Sequence, residues 1–369
     1  MQFKFHIHTK VIFGEGCIKE NADELSKFGK RAFIVTGKNS AEASGALDDI
    51  TDALDTNGIS FTIYDKVQNN PSLENVKEGG KEAAAFKADF IIGIGGGSPL
   101  DASKAIAVLA VNQIEPVELF KNTFTHQPLP VIAVPTTAGT GSEVTPYSIL
   151  TRSDMQTKMS FGNEDTFPKL AFMDAHYTSS LSDEVTVNTA IDALSHAIEG
   201  YLSKRSMPLS DAIALEAIGI FGSCVQGLLE KKLDHSAREK LLYASMLGGM
   251  VIAHTGTTIV HGLGYSLTYF KGIAHGRANG RLLKEYFIYN YDYAREKIDK
   301  ILEILKVNNI EEFGRIIASL LNMKTENIKI DPEEIGHYAQ ITFKMKSTSF
   351  NIRNVKEEDL VDIYKKSIY

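Results

Sequence analysis

Cysteine is nearly absent: Cys17 and Cys224 are the only two in 369 residues, far apart and without C-x-x-C spacing. That argues against a disulfide framework and a thiolate zinc site, and it fits a reducing cytoplasm. Basic clusters are missing too. A formal net charge of -7 and an isoelectric point near 5.8 leave no electrostatic footprint for nucleic acid. No continuous apolar run approaches the roughly 18 residues of a membrane helix, so no membrane association is expected. The opening MQFKFHIHTKVIFGEG lacks a signal peptide's apolar block. It alternates Phe3, Phe5 and Ile7 against Lys4, His6 and His8, which predicts a strand. His6 and His8 then share a solvated strand face that mimics a metal pair.

What is present is an ordinary globular composition in a chain longer than one core usually supports. Two domains are the expectation, with the active site in the cleft between them. Residues 1–181 read as an α/β dinucleotide-binding domain with a parallel sheet. The apolar runs RAFIVTG, SFTIYDKV, DFIIGIGGG and LPVIAVPTT are separated by amphipathic stretches, among them a helix from Ser72 to Ala88. No Pro/Ser linker, internal repeat or low-complexity tract marks the boundary. Residues 182–369 read as all-helical: Ser182, followed by Asp183 and Glu184, resembles an N-cap with acids on the first turn. AREKIDKILEILK sets Ile298, Ile301, Ile304 and Leu305 on one core-facing stripe.

Gly93, Gly95, Gly96 and Gly97 follow a strand and precede a helix whose Pro99 suits the first turn. Such a loop can bring backbone amides and a helix N-terminus to a diphosphate; a tight turn is the plainer alternative. It is not a Walker loop, and it sits after the third alternating strand rather than the first. The first, RAFIVTG, ends in Gly37, Lys38, Asn39 and Ser40. With no acid there to hold a ribose 2′-hydroxyl, Lys38 and Ser40 suit a 2′-phosphate, which favours NADP(H) over NAD(H). A surface turn is the bland alternative. Hydroxyls of Thr136, Thr137 and Thr140 in VPTTAGTGSEVTPYSIL can donate to the coenzyme; alone they make only a polar loop.

Asp192 and His196 in IDALSHAIEG, four apart, share one helix face. His261 in VHGLGYSL and His275 in AHGRANG complete four candidate ligands. Three imidazoles and a carboxylate suit a divalent first-row metal such as iron(II) or zinc, although a lone D-x-x-x-H is common on helices by chance. Glu199 makes a tempting H-x-x-E with His196 but is read as orienting helix packing or neighbouring groups. His254, seven residues before His261, would lie about 11 Å up one continuous helix, too far to share an ion, and is read as cleft lining or a hydrogen-bonded core residue.

Taken in order, GIGGGSPLDASKA, PTTAGTGSEVTPYS, IDALSHAIEGYLS, HGLGYSL and AHGRANG resemble the iron-containing (group III) alcohol dehydrogenase family over nearly the whole chain. The resemblance implies that Asp192, His196, His261 and His275 are metal ligands, holding Fe2+ with Zn2+ as the alternative. It implies an alcohol oxygen polarised by that metal while hydride passes to the nicotinamide. It places the pyrophosphate at Gly95, Gly96, Gly97 and Ser98 with Asp101 nearby, the ribose and nicotinamide near Thr136, Thr137, Thr140 and Lys158, and the adenosine beside Asn70 and Pro71. One departure stands out: where many relatives carry a second histidine, thought to relay the alcohol proton, this chain has Tyr265. A phenol of ordinary pKa, about 10, is a poor base at neutral pH, so the proton is expected to leave through water or a coenzyme hydroxyl.

The expected function is a cytoplasmic, homodimeric alcohol dehydrogenase or aldehyde reductase acting on a small primary alcohol or diol. A zinc-dependent polyol oxidoreductase like glycerol dehydrogenase and a binding protein without turnover are the alternatives. A dehydroquinate synthase is disfavoured, because near the metal only Arg277 and Lys271 would meet its acidic substrate.

Overall fold

The structure, a computed structural model, describes residues 2–323 and 328–368. The outermost residues of the two expected domains, Met1 and Tyr369, lie outside that range. The described chain divides into two compact units, His6–Leu181 and Ser182 onward, with the opening residues as far as Phe5 grouped with the second. The expectation that the first domain begins at residue 1 is corrected accordingly.

The first unit runs β1 (Lys10–Phe13), α1 (Cys17–Glu20), β2 (Arg31–Gly37), α2 (Ser40–Ala43), α3 (Ala46–Thr56), β3 (Ser60–Val67), α4 (Leu73–Phe86), β4 (Phe90–Gly95), α5 (Gly97–Leu109), β5 (Val131–Pro135), β6 (Ser148–Arg152), β7 (Thr157–Phe161) and β8 (Leu170–Met173). Six strands form one parallel sheet in the order β1-β8-β5-β4-β2-β3, while β6 and β7 make a separate antiparallel hairpin. The near-continuous apolar runs have a direct cause: both sheet faces are covered. Ile34, Ile92, Ile94, Ile132 and Phe172 pack with α1 and α3 on one face, and Phe33, Val35, Ile91 and Val131 pack with α4 and α5 on the other. The chain leaves β2 outward to β3 and leaves β4 the opposite way to β5. The β2/β4 pair is therefore a topological switch point, and the crevice beyond its carboxyl ends is where ligands bind in such sheets.

The predicted N-terminal strand is shorter than its alternation suggests. Only Lys10–Phe13 pairs, in parallel with β8, and residues 2–9 belong to no strand. Phe5 instead stacks on His254, ring centroids 4.0 Å apart. Tertiary packing outweighs the period-2 pattern here. His6 and His8, whose rings meet at 4.0 Å, share no strand face.

The second unit is helical: α6 (Asp183–Tyr201), α7 (Pro208–Glu230), α8 (His235–Thr255), α9 (Ile259–Lys271), α10 (His275–Ile304), α11 (Ile310–Leu320), α12 (Pro332–Phe343) and α13 (Glu357–Ile368). Ser182 caps α6 by accepting from Val185 N at 3.3 Å, and Ile298 and Ile301 are fully buried. Two readings are corrected. By length and composition α7 is long and apolar enough to cross a membrane, since charges are scarce along it, although Asp211, Glu216 and Ser223 leave no unbroken apolar run in the sequence. It packs on α6 and α8, and its Asp211 pairs with Lys297 at 2.9 Å. His254 and His261 do not share a helix, since Gly256, at φ 67°, separates α8 from α9. Cys17 and Cys224 are buried and free.

Candidate functional site

In the helical unit, α6 presents Asp192 and His196, one turn apart and both buried. His261 stands in the first turn of α9, and His275 is the first residue of α10. α10 can start against α6 because residue 276 is glycine. A Cβ there would run into the Asn188 carbonyl and come within 3.0 Å of Asp192 Cβ.

Ligand atoms of Asp192, His261 and His275 lie within 4.8 Å of one another. Asp192 Oδ1 is 3.7 Å from His261 Nε2 and 3.8 Å from His275 Nε2. Tetrahedral ligation at about 2.1 Å sets ligand atoms roughly 3.4 Å apart, so the trio needs little closure to fit one cation. His196 is not in that trio; its ring lies against His261, centroids 4.5 Å apart and planes within 19°. Tyr265 stacks on His275 at 5.1 Å and meets His261 edge-on at 6.4 Å.

Hydrogen bonds prepare the nitrogens. Asn279, fully buried one turn after His275, donates from Nδ2 to Asp192 Oδ1 at 2.9 Å and lies 3.3 Å from His275 Nε2. A carboxamide NH2 only donates, so in this contact Nε2 is the accepting nitrogen, and its single lone pair would leave Asn279 for a cation when one binds. Glu199 contacts His261 through Nδ1, on the ring edge away from Asp192. Sequence reasoning did not single out Asn279, although it lies in the AHGRANG segment four residues after His275. Lys271 is tied to Glu334 at 2.8 Å, and Arg277 donates to the Leu321 carbonyl. The two cations considered for an acidic substrate are thus engaged with the protein itself, which counts further against the synthase.

In the α/β unit, Gly37 ends β2, and Lys38 and Ser40 beyond it are exposed. Gly95 ends β4, and Gly96, Gly97 and Ser98 open α5, whose first turn has no side-chain cap. The threonine loop folds over them: Thr136 N donates to Gly95 O at 2.9 Å, and a Cβ on Gly97 would come within 2.8 Å of Thr140 Cγ2. Thr137 stands similarly over Gly96. Ser98 Oγ accepts from Asn70 N at 3.1 Å, while Thr151 donates to the Asn70 carbonyl at 2.8 Å, clamping a residue whose φ is 57°. These expected coenzyme residues gather at the carboxyl ends of β2, β3, β4 and β5.

One expected member is placed differently. The Asp101 carboxylate is turned inward, accepting from Ser142 Oγ at 2.6 Å and Ile149 N at 3.0 Å. Lys158, on β7, is buried and contributes a charge that Asp101 senses. Around Asp101 lies a buried cluster that sequence reasoning did not single out, although its residues fall within the GIGGGSPLDASKA and PTTAGTGSEVTPYS segments. Lys104 donates to Ser142 Oγ at 2.7 Å and to the Tyr147 carbonyl at 2.6 Å, and Glu143 is its neighbour. Burial raises the Asp101 carboxyl and pushes Glu143 up to about 7 and Lys104 down to about 8. The cluster ties α5 to the loop above it and so holds both sides of the glycine turn.

Comparison with known proteins adds the family context. The family described as iron-containing alcohol dehydrogenase matches residues 8–175, and its companion, the Fe-containing alcohol dehydrogenase family C-terminal region, matches residues 186–368. Lactaldehyde reductase of Escherichia coli is 32% identical over 369 residues, spanning 95% of this chain and 96% of its own length. Sulfoacetaldehyde reductase of Bilophila wadsworthia is 34% identical over 309 residues, with 83% and 79% covered. The crystal structure of an iron-containing alcohol dehydrogenase from Thermotoga maritima superposes with a TM-score of 0.93 at 38% identity, covering 100% of this chain and 99% of that one.

Proposed function

Because the chain belongs to the iron-containing alcohol dehydrogenase family and is an alcohol/aldehyde oxidoreductase, we propose that it moves hydride between a small primary alcohol or diol and NADP(H). The convergence of Asp192 Oδ1, His261 Nε2 and His275 Nε2 carries the reading. With His196 they would hold one divalent cation, iron(II) by family and zinc as the alternative, since this donor set accepts both. When bound, the cation supplies Lewis-acid polarisation of the alcohol or carbonyl oxygen.

The chain's own residues do the rest. Gly95, Gly96, Gly97 and Ser98 offer backbone amides and a helix N-terminus to the pyrophosphate. Thr136, Thr137, Thr140 and Lys158 serve the nicotinamide side, and Gly37, Lys38, Ser40 and Asn70 the adenosine side. Exposed Lys38 and Ser40, without an acid at the end of β2, support the 2′-phosphate. Tyr265, packed against two ligand rings, shapes the substrate side of the site, and the alcohol proton leaves through water or a coenzyme hydroxyl. The relatives named for lactaldehyde and sulfoacetaldehyde support small polar aldehydes as substrates. A homodimer belongs to the proposal because β1 is a terminal strand of its sheet; a monomer in sedimentation at micromolar concentration would contradict it.

The test is NADPH oxidation by the metal-loaded protein with a panel of short aldehydes. Loss of absorbance at 340 nm supports the proposal, and no loss across the panel would favour a binding protein without turnover.

A further inference from the structure

We infer that Glu199 is a positioning residue that decides which nitrogen of His261 is left to bind the cation. The inference rests on the metal reading above and adds a residue to it. Glu199 is fully buried on α6, one turn beyond His196. Its Oε1 accepts from Thr258 N at 2.8 Å, Thr258 Oγ1 at 2.7 Å and Val260 N at 2.9 Å. These donors belong to the start of α9, whose N-cap, Thr258, makes no capping bond of its own. Its Oε2 meets His261 Nδ1. One carboxylate therefore anchors the helix that carries His261 and also holds the ring.

The second contact has a chemical consequence. An ionised carboxylate only accepts, so Nδ1 must be the protonated nitrogen, and in a neutral imidazole Nε2 then keeps its lone pair. Nε2 is the atom 3.7 Å from Asp192 Oδ1. Such outer carboxylates commonly fix the tautomer of a ligating histidine. On α6, Asp192 and His196 are thus followed by the group that prepares a third ligand on another helix.

Glutamine at 199 separates this role from simple capping. Four donors surround the Oε1 position, the His261 N at 3.4 Å being the fourth, so the amide oxygen of Glu199→Gln settles there and the cap on α9 is kept. Its NH2 then faces Nδ1 and only donates, which drives the proton to Nε2 and blocks ligation. The experiment measures three things on full-length protein: the apo melting temperature, the Zn2+ dissociation constant by chelator competition, and the His261 ring 15N shifts. Wild type is expected to bind Zn2+ and to show Nδ1–H. Glu199→Gln is expected to melt within a few degrees of wild type, to show Nε2–H, and to bind Zn2+ roughly 10- to 100-fold more weakly. Equal Zn2+ affinity with an unchanged tautomer in the variant would overturn the inference and leave Glu199 a helix cap. Nε2–H in apo wild type would overturn it even if the variant failed to fold. Wild type that binds no metal while showing Nδ1–H would sink the metal reading and not the role of Glu199 in holding the ring.

Discussion

Tyr265 stacks on His275 with ring centroids 5.1 Å apart and planes within 17°. The same ring meets His261 edge-on at 6.4 Å, so it packs on two of the candidate ligands. Tyr265→Phe keeps the stack, so kcat/KM is expected to fall less than about fivefold, whereas a proton relay would cost on the order of 100-fold or more. Steady-state kinetics of the variant decide between them.

Lys38, exposed just beyond β2, is the residue proposed to meet a 2′-phosphate. Wild type should show a higher kcat/KM with NADPH than with NADH. Lys38→Ala should lower the NADPH value by about tenfold, the scale of one charge-assisted contact, and leave NADH nearly unchanged. A preference for NADH in wild type would refute the assignment.

Gly97 owes its identity to Thr140. In Gly97→Ala the new methyl would come within 2.8 Å of Thr140 Cγ2, and the threonine loop must lift away from the glycine turn. The coenzyme KM is expected to rise roughly tenfold. Removing the opposing methyl with Thr140→Ser in the same chain should recover most of that loss. A double variant no better than the single one would place the fault elsewhere.

Glu143 supplies a pH dependence of stability. Burial raises its carboxyl from 4.5 to about 7, so the folded state holds the proton more tightly than the unfolded chain does. That stabilisation is complete below 4.5 and is lost as pH rises towards 7. Glu143→Gln cannot ionise, so its melting temperature should gain on wild type between pH 5 and pH 8. A difference that stays constant across that range would contradict the shift.

Much of this was legible in the sequence, and the rest was hidden for identifiable reasons. Ser182 as an N-cap, the strand-glycine-helix turn at Gly95–Ser98 and the i, i+4 pair Asp192/His196 are local patterns, and local geometry expresses them. The hairpin of β6 and β7 and the short β8 escaped because four- and five-residue strands hardly establish a period. Phe5 alternates like a strand residue but packs on His254, far along the chain. Lys104 and Asn279 acquire their roles only when separate segments meet, as Lys104 does at Ser142 and Asn279 at Asp192. Asp101 sits in a coenzyme-type motif, yet the fold turns its carboxylate into the protein.

The central claim is that the Asp192, His196, His261 and His275 set holds a catalytic cation. Its most direct test is metal content by elemental analysis, measured with turnover on anaerobically purified wild type and His261→Ala. The account predicts about one equivalent of iron or zinc per wild-type chain, with metal and aldehyde reduction both lost in the variant. Unchanged metal content and unchanged turnover in His261→Ala would contradict it.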